Sequence, residues 1–387
     1  MNRLVQYVKD TIRKADLILL LLCLVTTAFG ILMIASTTNE DGNTRYIIVQ
    51  CAAAALGILL FFTVSAVDAD FLSEHRSWMV AFNCILLALL IPFGTDNNTT
   101  NRSWLDFPFL PVQIQPAEIC KITFILIMAS VMASHQNSPS SPKSVLHMAF
   151  HLLLLAGVNM LISEDLGVTL IFVFIFIGMA YSGGVNLLWF LGVAGIVVLA
   201  FPFLWNFLST YQQNRILIIF DETIDPNGFN ERYHMVQSLK SLTGGGMTGQ
   251  GLFQGTRTQR GSLYAQHTDY IFSAIGEELG YLGCVLTVIL IVVIIARCIQ
   301  VGTRSPDYMR RMICFGAASA LVFQVCSNIG MCLGVTPVIG LTLPFISYGG
   351  SSLVSLYAMM GLVSGVHARP SPTSHERYIR PPLNAKL

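Results

Sequence analysis

Ten stretches of apolar residues, about 16–35, 46–66, 77–93, 115–134, 145–162, 166–181, 185–205, 270–297, 310–333 and 343–367, alternate with polar connections along the chain. Each is close to the roughly 17–25 residues that a helix needs to cross the hydrocarbon of a bilayer. The pattern predicts an all-α polytopic membrane protein with ten transmembrane helices. The fifth, sixth and seventh stretches are divided only by "SEDLG" and "SGGVN", so their limits are soft. One long polar interval, about 206–269, separates the seventh helix from the eighth. The chain thus reads as residues 1–15, a ten-helix domain over 16–367 that includes this loop, and a tail over 368–387. The tail is Pro-rich and polar, a composition of disorder. At the N-terminus, basic residues precede an apolar run that reaches about Ala35 without a small-residue cleavage motif, which predicts a retained first span.

Lys and Arg in the short connections set an orientation. Placing Arg3, Lys9, Arg13 and Lys14 in the cytoplasm also places Arg76, Lys143, Arg297, Arg304, Arg310, Arg311, Arg369, Arg377, Arg380 and Lys386 there, and leaves Arg45 and Arg102 on the short outer connections. Both termini are therefore expected inside, and the 206–269 loop outside.

Composition agrees. The 387 residues are 54% hydrophobic and only 11% charged, where a soluble domain carries about a quarter charged residues. A net charge of +1 gives no footprint for nucleic acid. The nine cysteines fall in or at the ends of apolar segments without zinc spacing, and read as free thiols. No Walker sequence and no dinucleotide fingerprint is present, which argues against an ATP-driven machine.

Ionisable groups near or within the spans are the candidate chemistry. In "NRSWLDFPFLPVQIQPAEICKI", Pro116 suits the first turn of a helix, and Glu118 and Lys121 follow at i and i+3 on one face. They read as a structural ion pair or as part of a functional cavity. Arg102 and Trp104 upstream suit an anionic headgroup or an interfacial anchor. Asp165 in "SEDLGVTL" stands where a helix begins, either as a cap or as a member of a polar cavity shared with Lys121.

The long loop carries Arg215, His234, Lys240, Arg257 and Arg260, and its glycines at 244, 245, 246, 249, 251 and 255 fit an anion-facing backbone or simple flexibility. It ends in His267, Thr268 and Asp269. Asp269 is either the cap of the eighth helix or a catalytic group. Glu277 and Glu278 lie two turns or more inside that helix, where carboxylates need partners or a raised pKa. Pro337, Pro344 and Gly349-Gly350 break helical regularity between the ninth and tenth spans, and Ser347, Ser351 and Ser352 would give a cavity there its hydroxyls.

The segments "IQPAEICKI", "DLGVTL", "YQQNRI", "GQGLFQGT", "HTDYIFSAIGEELGYLG" and "NIGMCLGVTPVIGLTLPFISYGGSSL" resemble, in order and spacing, the SEDS family (shape, elongation, division and sporulation) of bacterial peptidoglycan glycosyltransferases. The match runs from about Ala15 to His367, and the variants at "YQQNRI" and "LPFISYGG" are more similar to the rod-shape branch than to the division branch. The resemblance implies a ten-helix enzyme that joins lipid II units into glycan strands at the outer face of the cytoplasmic membrane during elongation. It implies Asp269 as the essential aspartate, with functional roles for Glu118, Lys121 and Asp165. It also implies a class B penicillin-binding protein and other elongation machinery as partners, and a divalent cation, magnesium or manganese, in support. Two departures stand out: "LYAQ" replaces the usual Leu-Pro-Glu before His267, and "NRSW" keeps one charge fewer than the family's basic stretch. The expected chemistry has Asp269 take the proton of an acceptor hydroxyl. Arg102, Lys121 or Arg215, or the cation, face the leaving diphosphate. A lipid II flippase and a division or sporulation paralogue are the alternatives.

Overall fold

The computed structural model describes residues 9, 11–39, 44–95, 102–106, 113–206, 213–214, 217–219, 232–263 and 265–371. Arg215, most of "YQQNRI" and the tail beyond 371 lie outside the described residues. The helices are α1 (Leu17–Thr37), α2 (Arg45–Ala66), the short α3 (Ala69–Glu74), α4 (Arg76–Ala88) prolonged by α5 (Leu90–Phe93), α6 (Pro116–Ser134), α7 (Pro142–Ser163), α8 (Leu166–Ser182), α9 (Leu187–Trp205), α10 (Tyr233–Gly244), α11 (Ile271–Arg304), α12 (Tyr308–Cys332) and α13 (Gly350–Ala368). Eight spans, with α4 and α5 taken as one, are long and apolar enough to cross a bilayer, and α8 and α9 contribute two shorter apolar helices. The chain is a multi-pass membrane protein. Among the described residues the one sheet is a two-stranded antiparallel ribbon, Gly94–Thr95 (β1) against Trp104–Leu105 (β2).

Sequence chemistry sets the helix ends. Asp16 accepts from the Leu19 amide ahead of α1, Ser141 from Ser144 ahead of α7, and Asp307 from Arg310 ahead of α12. Pro116 and Pro142 open α6 and α7 at the first turn, where a missing N–H costs nothing. Pro92 lacks the amide that would bond the Ala88 carbonyl, which accounts for the interruption between α4 and α5 in the expected third span.

Helices α6, α12 and α13 are the buried centre, with 67%, 72% and 72% of their apolar windows inside the protein, against 17% and 22% for the α4–α5 span and α7. In lipid, close packing of backbones holds such helices together. Accordingly, a Cβ at Gly361 would sit 2.7 Å from the Phe61 carbonyl oxygen, so α13 lies directly on α2. At one end of the bundle, Arg297 of α11 pairs with Asp16 at 2.9 Å and Arg310 of α12 pairs with Asp70 at 2.7 Å. The ribbon, α10 and the turns around 265–270 and 333–349 gather at the other end.

Helix α11 is broken. Gly280 adopts φ 67° and ψ −163°, and the backbone groups freed there are taken up by the glycine-rich part of the long loop. Amides of Gln250 and Gly251 bond the Glu277 and Glu278 carbonyls at 2.9 and 3.0 Å, and amides of Tyr281 and Leu282 bond the Gly246 and Met247 carbonyls at 2.9 and 3.2 Å. A Cβ on Gly280 would lie 2.3 Å from the Gly249 nitrogen, so a side chain is excluded.

The two carboxylates expected to need partners, Glu277 and Glu278, find them under this loop. Glu277 accepts from the Arg257 amide at 2.8 Å, the Thr258 amide at 3.1 Å, and the Thr256 and Thr258 hydroxyls at 3.3 and 2.8 Å. Glu278 accepts from the Gln259 amide group at 2.9 Å, the Phe253 amide at 3.3 Å and the Ser36 hydroxyl. Both side chains are wholly buried. The loop is thereby knitted into the broken helix, and its glycines serve close approach.

Replacing Glu277 by Ala strips four donors of their acceptor, at about 1–3 kcal/mol for each buried group left unmet. The expected result is a melting temperature lower by several degrees and faster proteolysis within 250–260. Wild-type melting and protease resistance would contradict the clasp.

Candidate functional site

Asp269 lies in the turn that precedes α11, but it does not cap that helix: the cap residue is Tyr270, which makes no side-chain cap bond. The turn is held through its backbone. Three consecutive carbonyls are taken: His267 by the Tyr348 amide at 2.8 Å, Thr268 by the Ser347 hydroxyl at 2.6 Å, and Asp269 by the Asn328 side-chain amide at 2.8 Å. Asn328 bonds the Leu341 carbonyl as well, at 2.7 Å. Gln50, wholly buried in α2, braces the bracing segment in turn: its amide donates to the Ser347 carbonyl at 3.1 Å and its oxygen accepts from the Gly349 amide at 3.2 Å.

The 333–349 segment can offer these groups because it is not helical. Phe345 has φ 66° and Gly340 φ 67°, and α13 begins only at Gly350, later than the expected residue 343. Pro344 disfavours the α conformation at Leu343 and so helps delay that start. A Cβ at Gly340 would stand 3.8 Å from Asp269 Oδ2, so the aspartate carboxylate faces the 339–341 turn.

The same turn packs on Gly167 at the start of α8, the helix that Asp165 caps. The α-carbon of Gly167 packs so near that a Cβ there would be 2.6 Å from the Ile339 carbonyl oxygen. Asp165 caps α8 through the Val168 amide at 3.1 Å and accepts from the Ser103 hydroxyl at 3.1 Å. Both readings of Asp165 therefore hold together: it is a cap, and it lies in a polar cluster. Burial raises its carboxyl pKa above the ordinary carboxylate range, the Val168 amide and the Ser103 hydroxyl oppose this, and the charge of Glu118 adds to it.

Glu118 and Lys121 form a buried ion pair at 2.8 Å on the first turns of α6, and Ser355 of α13 donates to the other oxygen of Glu118. Asp165, Glu118 and Lys121 thus belong to one polar region, linked to Asp269 across residues 339–341.

The remaining candidates divide. Arg102 is exposed beside Ser103. Thr268 turns its hydroxyl onto the Ala265 carbonyl at 3.2 Å, and the His267 ring packs between Tyr46 and Tyr348. Ser347 and Ser351 are not spare hydroxyls: Ser347 also accepts from the Leu343 amide at 2.9 Å, and Ser351 accepts from the Gln115 amide at the start of α6 at 3.2 Å. Gln50, Asn328, Ser103 and Ser355 were missed by reading for ionisable groups. The signal was there in the two amides, each a lone strong hydrogen-bonding group within an apolar run. Among the described residues no three His, Cys, Asp or Glu side chains assemble as a metal site.

The family model described as cell cycle protein, covering FtsW, RodA and SpoVE, matches residues 16–371. The chain belongs to that family. It is the SEDS family of the motifs, and the similarity is spread over nearly the whole chain. The sequence is 31% identical over 358 residues to the peptidoglycan glycosyltransferase MrdB of Escherichia coli K12, covering 91% of this chain and 93% of that one. It is 29% identical to the stage V sporulation protein E of Bacillus subtilis, covering 91% and 96%. Among solved structures, a chain of a peptidoglycan synthase complex coordinating polymerization and crosslinking superposes with TM-score 0.77 at 28% identity, covering 95% and 99%. The rod shape determining protein RodA of Thermus thermophilus superposes with TM-score 0.67 at 27% identity, covering 91% and 96%.

A SEDS chain with this pair buried depends on both partners. Lys121→Met leaves Glu118 charged without its cation and is expected to cost about 3–5 kcal/mol. The double change Glu118→Gln with Lys121→Met should recover much of that loss in thermal melts. Equal loss in single and double variants would contradict a paired, desolvated bridge.

Proposed function

We propose that this protein is a peptidoglycan glycosyltransferase that polymerises lipid II into β-1,4 glycan strands at the outer face of the bacterial cytoplasmic membrane. The observation that carries the reading is the turn at 267–269. All three of its carbonyls are fixed by groups from α12 and the 343–348 segment, which holds the Asp269 carboxylate beside the 339–341 turn that also packs on the start of α8. Rigid placement of a base is what attack by a weak hydroxyl nucleophile needs. The names of the relatives, and the fold shared with a chain of a peptidoglycan synthase complex, support the same reading.

In this mechanism the acceptor's 4-hydroxyl attacks the anomeric carbon of the donor. The new O4–C1 bond forms as the bond from C1 to the lipid diphosphate breaks, with inversion from α to β. The hydroxyl proton passes to Asp269, and the diphosphate leaves on its lipid with the bonding pair. Lys121, steadied by Glu118 and Ser355, and the exposed Arg102 supply positive charge to the diphosphate. A divalent cation, magnesium or manganese, would supply further positive charge to the leaving diphosphate. The excess of Lys and Arg on the end that holds Arg297, Arg310 and Arg369 supports cytoplasmic termini. A class B penicillin-binding protein that crosslinks the new strands is the expected partner, within the elongation machinery.

The test uses the protein purified with its cognate class B penicillin-binding protein, supplied with lipid II and magnesium or manganese. Wild type should make long strands, and a folded Asp269→Asn variant should lose at least about a hundredfold in rate. An Asp269→Asn variant that polymerises normally would remove the base. Transport of lipid II between leaflets by a complex that makes no strands would favour a flippase.

A further inference from the structure

Three rings meet at the outer end of the bundle, on the turn that carries Asp269. Tyr46 lies 4.7 Å from His267 and 5.0 Å from Tyr348, centroid to centroid, and His267 lies 5.6 Å from Tyr348. They come from three separate places in the chain: the start of α2, the Asp269 turn and the segment before α13. None of the three residues is buried and none is fully exposed. The cluster is fixed to the turn by main-chain contact, because the Tyr348 amide holds the His267 carbonyl at 2.8 Å. His267 is two residues from Asp269, a span of at most about 7 Å along the chain. That is the scale of one sugar ring with its hydroxyl.

Burial raises the Tyr348 hydroxyl above its ordinary pKa and Tyr46 adds to this, while the positive charge of Arg45 opposes it. Tyrosines at the membrane surface commonly serve as an interfacial belt, each facing lipid with its own ring. Here they pack edge to face around a histidine beside the base.

We propose that Tyr46, His267 and Tyr348 form a stacking platform for the pyranose ring of the acceptor, seating its 4-hydroxyl against Asp269. The proposal rests on the polymerase reading and adds to it a subsite. The apolar C–H face of a pyranose packs on an aromatic face, and hydroxyls at its rim remain free for hydrogen bonds and for reaction. Arg45 would stand over the acidic groups that a lipid-diphosphate-linked, peptide-bearing sugar carries. Tyr348 contributes its ring and, through its amide, the bond that places the base, so ring and backbone roles separate under substitution.

The test measures initial polymerisation rate against lipid II concentration, in the complex with the cognate penicillin-binding protein, for Tyr46→Phe, Tyr46→Leu, Tyr348→Phe and Tyr348→Leu. Leucine keeps apolar bulk and removes the aromatic face; thermal melts confirm that each variant folds. The Phe variants should keep the wild-type KM. The Leu variants should raise KM about tenfold with kcat close to wild type. Leu variants with wild-type KM would overturn the platform, as would a fall in kcat at unchanged KM, which would make the rings mere supports of the turn. If wild type itself makes no strands, the polymerase reading falls first. Equilibrium binding of lipid II to the same variants then decides the platform: weakened binding by the Leu variants alone supports it, and equal binding by all overturns it.

Discussion

A backbone group that leaves a helix inside a membrane protein has no water to turn to, and must find its partner within the chain. This constraint shapes the end of the bundle that carries the Asp269 turn. Helix α11 breaks at Gly280, and the loop at 246–251 returns to close the ladder. The segment between α12 and α13 never becomes helical over 339–349, and the Asp269 turn, Asn328 and Gln50 take up its groups. Each irregular piece is the hydrogen-bonding partner of another. Irregularity at one place is tolerated because the sequence supplies a second irregularity beside it.

The acids sort by what surrounds them. Glu277 and Glu278 are ringed by amides and hydroxyls of the loop they hold, a structural use of charge that leaves little for a substrate. Glu118 is bound to Lys121 and Ser355. Asp165 caps α8 and meets Ser103. Asp269 is placed through its main chain as well: its own carbonyl and those of His267 and Thr268 accept from Asn328, Tyr348 and Ser347.

Much of this was legible in the sequence. Apolar runs marked the eight spans long enough to cross a bilayer and the two shorter apolar helices α8 and α9, because lipid imposes an apolar composition on a span. The fused stretches around "SEDLG" and "SGGVN" resolved as expected, since Glu164 closes α7 before Asp165 caps α8, and Gly183 closes α8 before Asn186 accepts from the Leu188 amide of α9. The ion pair of Glu118 and Lys121 followed from i, i+3 spacing. That Glu277 and Glu278 need partners was legible, but which partners was not, because nothing in local spacing reveals that a loop twenty residues upstream folds back onto their carboxylates. The same holds for Ser347, whose hydroxyl looked available until the turn it braces came into view. Gln50 escaped for a related reason: its partners lie almost three hundred residues away, and an uncharged amide in an apolar run attracts less notice than an acid.

The most direct test of the account is a structure of the Asp269→Asn protein, with its penicillin-binding partner, bound to lipid II. The account predicts an acceptor 4-hydroxyl within hydrogen-bond reach of residue 269, with the diphosphate on the side of Lys121. A lipid II headgroup seated at the Arg297 and Arg310 end of the bundle, away from residue 269, would contradict it.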